Sequence, residues 1–415
     1  MLDHLQQNIR FIMRTELMSG EGIAKDLPKY LANYSWKRIG LVIDQGLFNG
    51  NPYVKEVVEI LKKELGEVVV LITEMPEPTY DYLDQVKMNF KGKALDCFVG
   101  IGGGSTLDLT KGLATLMTND GPAIGFRGFG KVKNVPLPVV ALPSTAGTGS
   151  EVTPYAVFID TKEKWKFGIN TEYNYPRLSF YDPKFLDSCP QKIYASAGMD
   201  AMTHTLESFV AKNATYISRI FSREAFKLLF PNLRKIAAGD RSTETKLNLL
   251  IGSGFAGLAL MNSGAGPSGA LSYPLGVYFD VPHGLAGSVF LPEVIKYNVD
   301  HGYEEYSELY DLIFDSNVSL ASERNEAKQS QNRLLRRPHG APRNDKNEKS
   351  IRFAEEIKNL SGALGIPTDL KGFGVKSESD LRLLIDNSMQ LKAAFEQNPV
   401  PFGKSEIEQL IYILR

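Results

Sequence analysis

The sequence predicts an α/β fold with a doubly wound parallel sheet over residues 1–185, followed by an all-α domain over residues 186–415. Two observations predict this division. In the first part, continuous apolar runs of strand length alternate with segments whose apolar residues have helical spacing. From about Leu186, strand-like runs nearly vanish and one helical period follows another. A chain of 415 residues is long enough for each domain to have its own core.

The strands of the first part are predicted from runs that are apolar throughout, which is typical of parallel strands buried on both faces. Two intervening segments have apolar residues at helical spacing, PYVKEVVEILKKEL (52–65) and YDYLDQVKMNF (80–90). This alternation indicates crossover helices between parallel strands. The predicted strands are RIGLVID (38–44), VVVLITE (68–74), LDCFVGIG (95–102), PVVALPST (138–145) and RLSFYDP (177–183).

The second part is predicted to be helical, and we expect the ligand site in the cleft between the two parts. One further stretch, 262–288, is interpreted as a helix followed by a His-Gly turn at His283. The predicted helices cover 191–211, 218–237, 243–262, 303–315, 351–363, 379–394 and 404–414.

One segment, 321–349, fits neither part. It is polar, basic and without clear periodicity, so we predict a disordered surface insertion. A basic arm that binds an anionic partner is the alternative interpretation. His339 lies in this segment and is given no role.

The composition excludes several classes of protein. The formal net charge of −1 argues against binding to nucleic acid or to an anionic membrane. The most apolar run, 247–261, is short for a membrane span, and the N-terminus lacks the apolar core of a secretory signal. Two cysteines, Cys97 and Cys189, cannot form a disulfide framework, so we expect a cytoplasmic protein.

A glycine-rich turn follows the strand that ends near residue 102 and begins a helix, in GIGGGSTLDLTKGLA (100–114). Glycines there let the backbone approach a pyrophosphate, and the helix N-terminus offers free N–H groups to it. We assign Gly102, Gly103 and Gly104 to this role. Asp108 is counted with the same site, although a surface pair with Lys111 one turn later is the simpler interpretation.

A second loop of small residues, ALPSTAGTGSEVTP (141–154), follows the next strand. Hydroxyl groups beside glycines suit a phosphate, a ribose or a nicotinamide amide, and we assign Ser144, Thr145 and Thr148 to this role. An ordinary turn is the alternative. Asp44 ends the first strand, where a carboxylate can bind an adenine ribose and repel a 2′-phosphate, or simply cap a helix. The two loops predict a dinucleotide-binding domain, with NAD favoured over NADP.

A candidate metal site begins with Asp200 and His204, which lie four residues apart on one face of a predicted helix. Such a pair is more often a hydrogen bond than a metal site. His283 supplies a third possible ligand from a distant segment. Glu207 lies near the same face, and we expect a structural ion pair for it.

Four motifs in this order resemble the iron-containing (group III) alcohol dehydrogenase family. They are GGGSTLDLTK (102–111), PSTAGTGSE (143–151), GMDAMTHTLESF (198–209) and the His-Gly pair at His283. The resemblance implies an N-terminal dinucleotide domain, a helical C-terminal domain, a divalent metal in the cleft and a homodimer. It also implies reversible NAD(P)-linked oxidation of an alcohol to an aldehyde or ketone.

Carried over by position, the metal ligands fall on Asp200, His204 and His283. The family's remaining ligand opens an H-A-x-x-H pattern, in which this chain has Gly269 and, for the second histidine, Tyr273. Glu77 stands where the family often has Asn, which leaves that cofactor contact in doubt. The cofactor positions carried over are Asp44, Gly103, Gly104, Ser105, Thr106, Ser144, Thr145, Thr153 and Lys166.

These residues predict a mechanism in which three ligands hold Zn or Fe, since zinc enzymes work with three protein ligands and an open position. His283 and Tyr273 are the predicted catalytic residues, with Tyr273 exchanging the proton. Packing at the domain interface is the alternative role of Tyr273. The absence of a side chain at Gly269 suggests a space that a substrate oxygen fills.

The predicted function is a metal-dependent, NAD-linked alcohol dehydrogenase or aldehyde reductase that acts on a small or sugar-like alcohol. A metal-independent dehydrogenase that uses Tyr273 as the acid is one alternative. A nucleotide-binding paralogue without catalysis and a cyclase of the sugar-phosphate type are the others. The sequence does not identify the substrate.

Overall fold

The computed structural model describes residues 8–74, 77–314 and 345–415, except for the side chain of Gln390. Six of its strands form one parallel sheet with the order β1-β9-β6-β4-β2-β3. The strands are β1 (Glu16–Ser19), β2 (Arg38–Asp44), β3 (Glu67–Thr73), β4 (Cys97–Gly102), β5 (Gly128–Phe129), β6 (Val139–Pro143), β7 (Val157–Asp160), β8 (Trp165–Asn170) and β9 (Leu178–Tyr181).

Helices cover both faces of this sheet, which confirms the predicted doubly wound fold. On β2, Ile39 and Leu41 join the core cluster on one face, whereas Val42 joins the cluster on the other. Helix α3 packs on the first face, and α4 and α5 pack on the second. The helices of this part are α1 (Leu27–Asn33), α2 (Gln45–Gly50), α3 (Pro52–Glu64), α4 (Tyr80–Val86) and α5 (Gly104–Leu116).

Four short strands were not predicted from the sequence. β1 adds to the edge of the main sheet beside β9. β5, β7 and β8 form a separate three-stranded sheet, in which β7 and β8 are antiparallel. These strands are partly exposed, so they lack the continuous apolar run that identifies a buried strand.

The second part of the described chain is helical, as predicted. The largest hydrophobic cluster contains residues of both parts, from Met18 to Leu414, so the sheet and the helices share one core. The helices are α6 (Gln191–Val210), α7 (Tyr216–Ala237), α8 (Thr243–Met261), α9 (Pro267–Phe279), α10 (His283–Asp300), α11 (Tyr306–Phe314), α12 (Asp345–Ala363), α13 (Glu378–Asn387), α14 (Lys392–Glu396) and α15 (Lys404–Ile413).

The expected His-Gly turn is wrong in detail, because His283 is the first residue of α10. The turn lies before it, with Asp280 in the left-handed region (φ 54°) and Pro282 as the N-terminal flanking residue of α10. The predicted helix 379–394 also divides, since α13 and α14 are separated by a 3₁₀ turn. The sequence pattern does not indicate the end of one helix and the start of the next at this point. The division is seen only in the backbone geometry.

Most of the predicted insertion at 321–349 lies outside the described residues, and so do His4 and His339. Residues 345–349 belong to α12. Among the described helices, none is both long and apolar enough to cross a membrane. The boundary between residues 185 and 186 stays a prediction.

Candidate active site

A cleft with a volume of about 910 Å³ lies between the sheet and the helical part. It opens at the carboxyl ends of β2, β4 and β6, where the chain reverses its direction of travel across the sheet between β2 and β4. Ligands of doubly wound proteins bind at such a reversal. The opposite wall is formed by α6 and by the turn between α9 and α10.

Most of the predicted cofactor residues line this cleft. Gly102, Asp108, Thr153 and Lys166 are not among the lining residues. Gly102 is buried at the end of β4, and Thr153 is buried in the second loop. The lining set contains Asp44, Gly103, Gly104, Ser105, Thr106, Ser144, Thr145 and Thr148.

The two glycine-rich loops touch each other, which explains why residues 103 and 104 lack side chains. A Cβ on Gly103 would come within 3.3 Å of Thr145, and one on Gly104 within 2.5 Å of Thr148. Gly149 (φ +64°) likewise brings the second loop against Gly257 of α8. This packing holds the hydroxyls of the second loop beside the N-terminus of α5, where the helix has free N–H groups.

Asp44 lines the cleft and also caps a helix. Its Oδ1 accepts a hydrogen bond of 2.7 Å from the backbone N–H of Leu47 at the N-terminus of α2. Both roles expected for an acid at this strand end are therefore compatible with its position.

Asp108 and Lys111 do not form a surface pair. Lys111 is fully buried and donates to Ser150 Oγ (2.7 Å), to the carbonyl of Thr153 (2.9 Å) and to the carbonyl of Tyr155 (2.8 Å). Asp108 accepts from Ser150 Oγ and from the backbone N–H of Val157. Burial lowers the pKa of Lys111 to about 8. The side chains of Asp108 and Lys111 therefore hold the second loop in place through hydrogen bonds.

Lys166 is paired with Glu77 and lies near Tyr273 of α9. Its Nζ lies 3.0 Å from Glu77 Oε1, and 5.7 Å from the centroid of the Tyr273 ring. Glu77, which stands where the family often has Asn, lines the cleft. Glu77, the position left in doubt by the sequence, is thus the partner of Lys166, a predicted cofactor residue.

The structure brings Asp200, His204 and His283 together, with one ligand atom of each within 4.8 Å of the others. The Nε2 atoms of His204 and His283 lie 3.7 Å and 3.8 Å from Asp200 Oδ1. These distances exceed a hydrogen bond, so the expected alternative of an Asp-His hydrogen bond is wrong. Bonds of 2.0–2.2 Å to a tetrahedral metal put neighbouring ligand atoms roughly 3.4 Å apart. The spacing therefore fits a small divalent cation.

The protonation state of one imidazole supports this fit. His204 Nδ1, the nitrogen that does not face Asp200, is buried without a hydrogen-bond partner among the described residues and adds no support. Burial, reinforced by the charge of Lys166, lowers the pKa of His283 to about 4. The ring of His283 is consequently neutral at pH 7 and has a lone pair for a metal. Ser272 Oγ lies 2.7 Å from its Nδ1.

Glu207 makes no structural ion pair with any described residue, contrary to expectation. Its carboxylate accepts the backbone N–H groups of Gly266 (2.8 Å), Ser268 (2.6 Å) and Gly269 (3.2 Å) at the N-terminus of α9. Burial raises the pKa of this carboxyl, and the three N–H groups oppose that rise. A negative group at this end of a helix is stabilised by the helix dipole.

The same carboxylate limits the space beside Gly269. A Cβ at this position would lie 3.0 Å from Glu207 Oε2. Gly269 is also absent from the residues that line the cleft. The open space that was expected for a substrate oxygen is therefore not present at the Cβ position of Gly269.

Tyr273 is half-buried, and its ring meets that of His283 edge to face, with 5.2 Å between the centroids. Burial raises the pKa of the hydroxyl above its usual value. The hydroxyl thus stays protonated near neutral pH and can act as a hydrogen-bond donor. His301 is exposed and bonds to the carbonyl of Tyr297, so it is not a substitute ligand.

Sequence reasoning missed Ser272, Ser150 and Glu151. Ser272 meets His283 only because α9 and α10 fold back on each other, and residue spacing does not reveal this contact. Ser150 and Glu151 were part of the quoted loop, yet no pattern indicated that Lys111 and Tyr181 would bind them.

Two family models match the chain one after the other. Residues 14–183 match the iron-containing alcohol dehydrogenase model, and residues 194–413 match the C-terminal model of the Fe-containing alcohol dehydrogenase family. Together they cover most of the chain and confirm the resemblance seen in the motifs.

Individual relatives agree with these matches. The chain is 30% identical over 381 residues to the long-chain-alcohol dehydrogenase 1 of Geobacillus thermodenitrificans, covering 90% of each protein. It is 28% identical to the NAD-dependent methanol dehydrogenase of Bacillus methanolicus, covering 94% of this chain and 96% of that protein. A crystal structure of a 1,3-propanediol oxidoreductase superposes with a TM-score of 0.85 at 27% identity, covering 99% of this chain and 100% of that one. The chain belongs to the iron-containing alcohol dehydrogenase family.

Proposed function

We propose that the protein is a metal-dependent, NAD-linked alcohol dehydrogenase, which works in reverse as an aldehyde reductase on a small or sugar-like alcohol. One observation carries this proposal. Asp200 and His283 line one wall of the cleft, opposite two glycine-rich loops at the ends of β4 and β6, and the buried His204 converges with them. A cofactor and a substrate can meet between these walls.

A divalent metal suits the three converging side chains. One carboxylate and two imidazoles are donors that both Zn²⁺ and Fe²⁺ accept. Three protein ligands leave an open position, at which a bound cation would polarise the oxygen of the alcohol or carbonyl as a Lewis acid. The family position of a further histidine is Gly269, and loss of one imidazole favours Zn²⁺ over Fe²⁺.

The cofactor is assigned to the other wall. The N-terminus of α5 and the hydroxyls of Ser144, Thr145 and Thr148 offer hydrogen bonds to a pyrophosphate and a ribose. The carboxylate of Asp44 would repel a 2′-phosphate, so NAD is preferred over NADP. The relative from Bacillus methanolicus is an NAD-dependent methanol dehydrogenase, which supports this preference. Asp108, Thr153 and Lys166 are assigned supporting roles around these loops.

Tyr273 is the proposed proton donor in the direction of carbonyl reduction. Its raised pKa keeps the proton on the hydroxyl, and its ring lies against His283, so the residue borders the metal position. His283 contributes to catalysis as a metal ligand. In the direction of alcohol oxidation, the same tyrosine would have to give up its proton first, which burial makes unfavourable.

A metal-independent dehydrogenase is the second candidate. The observation in its favour is the replacement of one family ligand by Gly269, which weakens the metal site. In this case Tyr273 alone would polarise the carbonyl. The two candidates differ in their response to a chelator.

The test is metal analysis of the purified protein together with NADH-linked turnover on a panel of alcohols and aldehydes. We expect about one equivalent of metal, loss of turnover of at least about 100-fold after chelation, and recovery with Zn²⁺ or Fe²⁺. His204→Gln should behave like the chelated protein, whereas His301→Gln, which changes an exposed histidine, should behave like the wild type. Turnover that resists chelation and survives His204→Gln would favour the second candidate.

We also propose that residues 1–185 serve the cofactor and residues 186–415 the metal and substrate. A cytoplasmic homodimer is what the family resemblance suggests. Gel filtration with light scattering tests the dimer directly.

A further inference from the structure

Ser272 makes two short contacts that together determine where its proton lies. Its side chain is buried on α9, and its Oγ lies 2.6 Å from the carbonyl oxygen of Gly269 and 2.7 Å from His283 Nδ1. A serine hydroxyl has one proton, and a carbonyl oxygen can only accept. The hydroxyl must therefore donate to Gly269, which leaves only its lone pairs for His283.

The consequence for His283 follows from the chemistry of a neutral imidazole. Because Ser272 Oγ can only accept from Nδ1, the ring carries its single proton on Nδ1. The other nitrogen, Nε2, then has the free lone pair, and Nε2 is the atom that lies 3.8 Å from Asp200 Oδ1. The nitrogen facing the metal position is thus the one that can bind a metal.

We infer that Ser272 is a positioning residue, which fixes the tautomer and the ring orientation of His283 so that Nε2 serves as a metal ligand. The effect on metal binding rests on the proposed function, whereas the tautomer does not. Histidine ligands generally need such a partner on the second nitrogen, and its loss lowers metal affinity.

The other described groups around His283 do not fix the orientation of its ring by a hydrogen bond to Nδ1. His283 is the first residue of α10, directly after the turn that contains Asp280 and Pro282, so little of its own helix constrains the ring. Among the described residues, Ser272 is the only hydrogen-bond partner of Nδ1. The ring of Tyr273 contacts the imidazole by its edge and supplies packing without a hydrogen bond to it. Two consecutive residues of α9 therefore hold the ring.

The test compares Ser272→Ala with Ser288→Ala. Ser288 is a matched control because it is equally buried, lies on the adjacent helix α10, and donates to the carbonyl of Leu285 three residues earlier. It has no hydrogen bond to His204 or His283 in the described part of the chain. Nitrogen-15 NMR of histidine side chains in the metal-free protein reports the tautomer, with His283→Gln identifying the signal. Competition with a chromophoric chelator reports the affinity for Zn²⁺.

We expect the Nδ1–H tautomer in the wild type and in Ser288→Ala, and a shift toward Nε2–H or a mixture in Ser272→Ala. The dissociation constant for Zn²⁺ should rise about 10–100-fold in Ser272→Ala and stay unchanged in Ser288→Ala. If Ser272 had a purely structural role, Ser272→Ala would lower the stability of the protein, as Ser288→Ala would. The tautomer of His283 would then stay unchanged.

Two results would overturn the inference. One is an Nε2–H tautomer in the wild-type protein, a measurement that needs no variant to fold. The other is a Ser272→Ala protein with the wild-type tautomer and Zn²⁺ affinity. If the wild type binds neither Zn²⁺ nor Fe²⁺, the proposed function fails, and the tautomer still decides the role of Ser272.

Discussion

Glu207 accepts a hydrogen bond from the backbone N–H of Gly269, with 3.2 Å between Oε1 and the nitrogen. Glu207 lies on α6, the helix that carries Asp200 and His204, and Gly269 lies in the first turn of α9, the helix that carries Ser272. The carboxylate therefore joins the helix with two of the proposed metal-site residues to α9, whose Ser272 contacts the third, His283. The family's further histidine falls on this glycine, at the junction between the two helices.

The first prediction concerns the side of Gly269 that faces Glu207. In Gly269→Ala the new Cβ would lie 3.0 Å from Glu207 Oε2, so the carboxylate or the helix must shift. We expect a loss of about 1–2 kcal/mol in the free energy of unfolding, measured by urea denaturation. Gly362→Ala is the control, because no atom lies within 4 Å of its Cβ position on α12. It should gain up to about 1 kcal/mol from helix propensity. Equal stability of the Gly269 variant and the wild type would refute the contact.

The second prediction concerns the pH dependence that the buried Glu151 confers. Burial raises the pKa of its carboxyl to about 7, whereas the ordinary value is 4.5. Between these two values the folded protein holds a proton that the unfolded chain releases. Stability from this group is therefore present below pH 4.5 and is lost as the pH rises toward 7.

The variant Glu151→Gln removes this titration. The difference in unfolding free energy between the wild type and Glu151→Gln should fall as the pH rises from 4.5 to 7, by on the order of 1–3 kcal/mol. Glu64→Gln, which changes an exposed glutamate, serves as the control. A difference that stays constant across this window would show that Glu151 is charged in the folded protein throughout.

The third prediction separates the two roles of Asp44. Asp44→Asn keeps an oxygen that can accept from the N–H of Leu47, so the cap on α2 and the stability should be retained. The loss of charge should raise the ratio of NADP to NAD turnover, measured as kcat/KM, by about tenfold. If the ratio does not change while the cap is retained, Asp44 has only the capping role.

The fourth prediction tests the hydroxyl of Tyr273. Tyr273→Phe keeps the ring that packs against His283 and removes the proposed proton donor. We expect kcat for carbonyl reduction to fall about 100-fold or more, with unchanged affinity for Zn²⁺. Tyr278→Phe is matched to it, since Tyr278 lies on the same helix and its hydroxyl bonds to Asn387 at 3.0 Å. Similar kcat values for both variants would show that Tyr273 only packs against His283.

The sequence predicted the sheet well because its inner strands are buried on both faces. Val42 and Ile43 face opposite cores, so a strand such as β2 must be apolar throughout, and this pattern is visible without a structure. β1 and β8 are short and partly exposed, which left no such pattern. The predictability of a strand here follows from its depth in the protein.

The site was predictable only as far as its motifs extend. Helical spacing and the family resemblance indicated Asp200, His204 and His283, which the structure brings together. The partners of these groups depend on how helices pack. The spacing of Asp108 and Lys111 suggested a surface pair, yet α5 is covered on the side that bears Lys111. The contact between Ser272 and His283 likewise requires the fold-back of α9 and α10.

We propose that three protein side chains, and not four, hold a catalytic cation at the cleft. The most direct measurement is anomalous X-ray diffraction from crystals grown with NAD and Zn²⁺, recorded on both sides of the zinc absorption edge. We predict one strong peak within bonding distance of Asp200, His204 Nε2 and His283 Nε2, with no protein ligand from Gly269. No peak between these side chains, or a peak that His204 or His283 does not bind, would contradict it.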